Sequence, residues 1–403
     1  MRTRSPLAVM FFTIFIDLMG FGIIIPILPN LSVDLTGNTS SLAVAGVYAL
    51  FNFIFAPLWG SLSDKYGRRP IILVSILLTA GANFLFGFVA TFWLLVIQRA
   101  LAGIGSANIS AANAYIADIS TPENRTKNMG LVGAAFGLGF VFGPFFGGLV
   151  YHSYGLMGIG IFSAGLSVLN FIMAYFLLPE SLKEKQNEIK FQLKPITQLM
   201  GAMKINVVRE LFTLNFVFTL AFSMMYVTAA VLWKNRYDLN EMQIGYVFSF
   251  IGIASAVVQG LLVGPMNKLY GERKLLYAGL VFGAIGLISM PFIPTNMFWL
   301  QLVALSFIAL ANGCVNPSIL GLLSNSISGR EQGRMLGLNQ SMGALGRVFG
   351  PAFGGILYDL NFSAPYIAGG LVCLASLYIV FDLIKNKMGV VATKEGAGVT
   401  PTS

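Results

Sequence analysis

The chain has 403 residues, of which 56% are apolar and 10% charged, with a mean hydropathy of +0.77 and a net charge of +9. A soluble globular chain carries roughly 25% charged residues, so a water-facing globule is excluded, and so is a disordered chain. Two cysteines and one histidine exclude a disulfide framework, haem and nearly every zinc or iron–sulfur site, which leaves an integral membrane protein.

A membrane-crossing helix needs about 20 mostly apolar residues. Twelve stretches qualify, near 6–29, 41–62, 70–90, 92–117, 127–151, 155–178, 209–233, 243–268, 274–293, 297–326, 332–358 and 363–385. The alternating segments of about 10 residues that mark a membrane β-barrel are absent. The first stretch follows Arg2 and Arg4 but is too long for a cleavable signal and lacks a small-residue cleavage site, so it reads as a span. The expected fold is therefore all-α, with twelve transmembrane helices. The longest polar segment, 179–208, divides them six and six. The expected units are a bundle over 1–178, a cytoplasmic linker over 179–208, a second bundle over 209–385 and a disordered tail over 386–403.

Of the 25 lysines and arginines, 21 fall in even-numbered loops and the two tails; the odd loops hold Lys234 and Arg236, and Arg99 and Arg347 lie inside spans. The positive-inside rule then places both termini in the cytoplasm. The same distribution accounts for the net charge, so no nucleic-acid partner is implied. Trp59, Trp93, Trp233 and Trp299 fall near span ends, where interfacial indoles belong.

Two motifs recur. Gly130-x8-Gly139-x3-Gly143-Pro144-x2-Gly147-Gly148 in the fifth span is repeated as Gly337-x8-Gly346-x3-Gly350-Pro351-x2-Gly354-Gly355 in the eleventh, at an offset of 207. GSLSDKYGRRP at 60–70 is matched by GPMNKLYGERK at 264–274, at an offset of 204. Two motifs in order at nearly one spacing indicate an internal duplication. Six plus six spans so related imply a pseudo-two-fold axis along the membrane normal, with a binding site near the midplane between the halves. Glycines every four residues make a bare stripe for close helix packing, and Pro144 and Pro351 interrupt it as bends. The stripe reads as tight packing, as a hinge shaping the seam, or as both.

Asp17 is the only carboxylate deep within a span. A charge at the bilayer centre costs roughly 3 kcal/mol even on lenient scales, so it should face a water-filled cavity or a partner. Counting about 1.5 Å per residue puts Arg99 at a similar depth. Asp17 and Arg99 form either a static ion pair or a proton-coupling pair. Arg347 is open to three readings: binding an anionic group, pairing with Asp17, or capping carbonyls at the Gly346–Pro351 bend. In the 60–70 loop, Gly60 and Gly67 permit a tight turn, Asp64 can face a helix N-terminus, and Arg68 and Arg69 can pair with carboxylates or carbonyls on the same face. Plain positive-inside topology is the alternative for that cluster.

These residues resemble the major facilitator superfamily, and within it the twelve-helix drug:proton antiporters near the tetracycline-efflux branch. Gly60–Arg69 is similar to the superfamily's loop signature, and Leu95-x3-Arg99-x3-Gly103-x-Gly105 to its fourth-span motif, with Ala102 in place of a polar residue. The fifth-span glycine series resembles the antiporter motif, and Asp17-Leu-Met-Gly-Phe-Gly-x3-Pro26 the drug-efflux first span. The histidine and further membrane acids of tetracycline exporters have no counterpart deep within spans seven to eleven. The resemblance implies a cytoplasmic gate at Gly60, Asp64, Gly67, Arg68 and Arg69. It also implies a cavity lined from spans 1, 4, 7 and 10, with candidates Gln98, Asn108, Asn113, Asn215, Met224, Met225, Tyr226, Asn312 and Asn316.

The expected function is proton-coupled efflux of hydrophobic or amphipathic drugs from a bacterial inner membrane, contributing to antibiotic resistance. The expected form is a monomer in the lipid bilayer, with protons and a small-molecule substrate as partners and no cofactor or metal. A symporter or facilitator of a polar metabolite and a lipid-handling flippase are the alternatives. An enzyme is not expected: HExxH, GxSxG, a Walker A loop and paired intramembrane carboxylates are all missing.

Overall fold

A computed structural model describes residues 6–120, 125–182, 195–327 and 332–385. Its elements are α1 (Pro6–Ile24), α2 (Leu28–Thr36), α3 (Val44–Tyr66), α4 (Arg68–Phe86), α5 (Phe92–Ser106), α6 (Ile109–Asp118), α7 (Arg125–Leu177), α8 (Pro195–Ala202), α9 (Asn206–Tyr237), α10 (Glu241–Val257), α11 (Val263–Tyr270), α12 (Glu272–Ser289), α13 (Trp299–Asn325), α14 (Gln332–Leu360) and α15 (Ala364–Lys385). Among the described residues, ten helices or joined helices are long and apolar enough to cross a membrane. The tail 386–403 and the linker's 183–194 lie outside the described residues; the linker's far end carries α8.

Several stretches read as single spans are interrupted. α1 stops ahead of Pro26 and the chain resumes as α2, because proline lacks the N–H that would continue the ladder. The fourth stretch breaks at Ala107–Asn108 between α5 and α6, and the eighth passes through a π-helical turn, Val258–Leu262, between α10 and α11. Helix α7 runs on through His152–Tyr154, where a loop is expected, and its dihedrals break at Gly155 (φ 62°, ψ −159°). That conformation is one that only glycine adopts cheaply.

The helices are inside-out relative to a soluble bundle. On α4, Ser75, Thr79 and Asn83 are buried while Val74, Leu77 and Phe84 face outward, about half exposed. The second part of α7 repeats this arrangement, with Ser163, Ser167 and Asn170 inside and Ile161, Leu169 and Ile172 outside. The inner groups pair between helices: Asn83 Nδ2 donates to Ser167 Oγ (3.1 Å) and Asn170 Nδ2 to the Thr13 carbonyl (3.0 Å). Buried polar groups need such partners, while apolar side chains need only lipid.

Helices α1–α7 pack chiefly among themselves, as do α9–α15. The glycine stripes do the same work in each set. A Cβ on Gly143 would stand 2.6 Å from Gly22 Cα, and one on Gly350 2.5 Å from Ser223 Cβ, so α7 lies directly on α1, and α14 on α9. Gly139 and Gly147 continue the first contact against Leu18 and Ile23, and Gly346 and Gly354 the second against Phe216 and Met224. Gly148 turns to the other set, against Glu241–Gly245 of α10, and Gly355 likewise meets Thr39 ahead of α3. Pro144 and Pro351 lie inside their helices, and Gly130 lies near the start of α7.

Candidate functional site

At the turn between α3 and α4, Gly67 (φ 113°) makes the reversal, matched by Gly271 (φ 77°) between α11 and α12. Gly60 is not part of that turn. It lies within α3, facing Ser110 of α6, whose hydroxyl donates to the Ala56 carbonyl (2.8 Å), so it serves helix packing. The buried Arg68 guanidinium bridges Asp64 and Asp118 (3.1 Å to the latter) and donates to Ser63 Oγ (2.7 Å). Glu180 accepts from the backbone N–H groups of Arg68 (3.0 Å) and Arg69 (3.1 Å), capping the positive end of α4. Arg69 donates to the Tyr175 carbonyl and lies over the Tyr175 ring. Among the described residues, every partner in this cluster belongs to the first set of helices. In this conformation the cluster clamps together the ends of α3, α4, α6 and α7.

The sets meet at the opposite end. Asp359, at the end of α14, accepts from the backbone N–H groups of Thr39 (3.2 Å) and Ser40 (3.1 Å) and from both their hydroxyls. Lys234 of α9 reaches Asp34 of α2 (3.3 Å) and Glu241 (3.5 Å). Partial burial would push the Asp359 carboxyl up, but these hydrogen bonds outweigh it and hold it below the usual carboxylate range. The seam is thus joined at this end, away from the Gly67 and Gly271 turns.

Between the two ends lies a small cavity lined by Asp17, Phe21, Tyr48, Thr79, Asn83, Arg99 and Ser106 among others. Asp17 of α1 and Arg99 of α5 both face it, as their depth suggests, yet no ion pair joins them; Asp17 has Asn108 beside it instead. Arg99 donates to Gln98 Oε1 (2.7 Å) and lies over the Tyr48 and Phe86 rings at 5.9 and 5.6 Å. Gln98 in turn donates to the Ala82 carbonyl (3.0 Å). Tyr48 stands at the centre, within electrostatic reach of Asp17, Arg99 and Arg347. Arg347, from α14, is exposed on the seam.

The other cavity candidates do not line this small cavity. Met224 and Met225 are buried in the core of the second set, because α14 packs onto α9 at that level. Asn215 holds α9 to α14, donating to the Asn339 carbonyl (2.6 Å). Asn312 and Asn316 hydrogen-bond to one another along α13, and Asn113 is half-buried on α6. Tyr226 does reach the seam: its ring meets Phe140 of α7 at 6.3 Å. Trp93 and Trp299 are exposed, whereas Trp233 is fully buried against Phe248 and Trp59 donates to the Ile104 carbonyl. The residues not foreseen are Phe21, Tyr48, Phe140, Glu180 and the Ser75–Thr79–Asn83 stripe. Only the stripe left a trace in the sequence, as polar residues every four positions in an apolar helix.

Apolar-faced helices, with a small charged cavity inside the first set, make up a membrane transporter of two packed helical sets. The chain belongs to the Major Facilitator Superfamily, whose family profile matches residues 10–263 and 211–401. It is 31% identical to the class C tetracycline resistance protein of Escherichia coli, covering 94% of this chain and 97% of that one. It is also 31% identical to multidrug resistance protein 2 of Bacillus subtilis, covering 90% and 91%. The crystal structure of a peptide transporter superimposes with a TM-score of 0.80 at 13% identity, over 94% of each chain, a likeness of fold alone. The protein is therefore a multi-pass membrane transporter of a family that carries small molecules.

Proposed function

We propose that this transporter exports hydrophobic or amphipathic drugs in exchange for protons, by alternating access. The observation that carries the reading is Asp17. It is a buried carboxyl midway along an apolar helix, beside a cavity, with no ion pair among the described residues. A carboxyl so placed is free to gain a proton in one state and lose it in another as water access changes. The relatives named for tetracycline and multidrug resistance support drugs as cargo and export as direction.

In this reading the helices form twelve spans, with α7 counted as two parted at Gly155, and α14 counted as the eleventh. Residues 1–178 and 209–385 are the two bundles, 179–208 is their linker, and the protein works as a monomer without a bound cofactor. Lysine and arginine counts put both termini and the Gly67 and Gly271 turns in the cytoplasm. The end joined through Asp359 and Lys234 then faces outward, and the seam opens inward.

The test uses purified protein in liposomes that enclose a pH-sensitive dye. Under an imposed proton gradient, a tetracycline or quinolone should move uphill while the gradient discharges faster than in protein-free vesicles. Movement of cargo only down its own gradient, with no proton flux, would assign a facilitator instead.

A further inference from the structure

The exporter reading leaves one charge without a role. Arg347 reaches from α14 toward Tyr48 of α3, is exposed on the seam, and makes no ion pair or hydrogen bond among the described residues. The local sequence keeps it open. Gly343, one turn earlier, has no side chain to cover it: a Cβ there would lie 3.7 Å from Arg347 Nη1. Gly337 and Gln340 are exposed on the same side of α14, so an uncovered stripe leads along the helix to the guanidinium.

The charges here do not balance. Arg99 and Arg347 supply two guanidiniums, and Asp17 is the single carboxylate that shares their surroundings. The other carboxylates of the described residues lie at or near helix ends. Guanidiniums stay charged at physiological pH. The excess is therefore positive whether or not Asp17 holds a proton.

Aromatic rings lie beside this excess. Tyr48 meets Phe21 at 4.7 Å, Phe21 meets Phe140 at 6.1 Å, and Phe140 meets Tyr226 at 6.3 Å. The run passes from α3 through α1 and α7 to α9, and so crosses from one half of the molecule to the other.

We propose that the seam binds a small amphipathic organic anion, with its planar apolar body along these rings and a carboxylate or sulfonate held by Arg347. This rests on the exporter reading only in taking the seam as the substrate path. A guanidinium matches two such oxygens at once, which an ammonium does not. When the halves close over the site, Arg347 loses water, and a charge left unpaired away from water is strongly disfavoured. The substrate's anion supplies the partner that the protein lacks. An amphipathic cation would meet the same rings beside a like charge.

Fluorescein and rhodamine 123 share a three-ring skeleton with a pendant phenyl; at pH 7.5 the first is an anion and the second a cation. Binding of each to the purified full-length chain in detergent is read by fluorescence anisotropy. Fluorescein should bind about tenfold more tightly than rhodamine 123. Arg347→Gln should weaken fluorescein binding about tenfold and leave rhodamine 123 no weaker, while Arg347→Lys, which keeps the charge but loses the two-point fit, should fall between the two. Equal or tighter binding of rhodamine 123 to the unaltered protein overturns the proposal, whatever the variants do. So does unchanged fluorescein affinity in a folded Arg347→Gln protein. Because binding is read without a gradient, a failure of uphill transport in liposomes would remove the exporter reading and leave this result to stand or fall separately.

Discussion

The two halves share a backbone plan and differ in chemistry. Gly22 against Gly143 is matched by Ser223 against Gly350, and Ile23 against Gly147 by Met224 against Gly354. Carried along the helix, the same register sets Phe218 of α9 in the place that Asp17 holds on α1. Phe218 is an apolar core residue packed on Phe222, whereas Asp17 faces a cavity. The paired turns diverge the same way. Gly67 and Gly271 keep their positive φ, but Asp64 and Arg68 are replaced by Lys268 and Glu272, a reversal of both charges. Arg68 is buried between two carboxylates, while Glu272 has an amide neighbour, Asn325 at 3.3 Å. The comparison teaches that close backbone approach constrains both copies alike, because no side chain fits there, whereas side chains on the seam are free to specialise.

The strongest way to break that comparison is to fill the stripes. Gly143→Leu and Gly350→Leu should each abolish folded protein, since even a Cβ there stands within 3 Å of the facing helix and overpacking costs about 3 kcal/mol or more where the backbone cannot yield. Monodispersity on size exclusion reads the outcome. Tolerance of one and not the other would mean that the stripes are not equivalent.

Asp17→Asn comes next. It keeps the volume but removes the cavity-facing carboxyl whose counterpart in the second half is Phe218, so the proposed uphill, gradient-driven export should disappear while the protein still inserts and stays monodisperse. Liposome uptake under an imposed proton gradient measures it, and retained uphill export would make Asp17 structural.

A smaller difference is expected at the turns. Arg68→Ala strands Asp64 and Asp118 beside one another and should cost about 2 kcal/mol, read as a lower Tm in detergent. Glu272→Ala removes a half-buried group held by a long hydrogen bond from Asn325 (3.3 Å) and should cost under about 0.5 kcal/mol. Equal losses would show that the charge reversal preserved the clamp.

The smallest effect concerns the joined end. Hydrogen bonds hold the folded Asp359 carboxyl below its ordinary range. Its contribution is therefore present above that range and is lost as pH falls through it. Asp359→Asn should loosen the contact with Thr39 and Ser40 at neutral pH. In a Ser40→Cys background, labelling by an impermeant maleimide should rise about two- to fivefold, against native Cys314 and Cys373, which are buried. Unchanged labelling would mean that the glycine contacts and the Lys234–Asp34 pair keep this end shut without Asp359.

Sequence alone determined the solvent of this protein and its internal repeat. Apolar runs long enough to cross a bilayer, a lone deep carboxylate and two glycine series at an offset of 207 are all one-dimensional facts, and each has a direct physical consequence. The packing role of Gly139, Gly143 and Gly147 was legible because a four-residue spacing defines a helix face whatever lies opposite. What lies opposite was not legible. The partners of Arg68 are 4 and 50 positions away, Glu180 caps α4 from 112 positions away, and Tyr48 meets Arg99 across two helices. Met224 and Met225 have the composition of a binding surface, but the side of α9 they occupy is set by where α14 lies. The depth of Asp17 and Arg99 could be counted from the chain; their failure to pair could not, because depth fixes one coordinate and the tertiary packing fixes the other two.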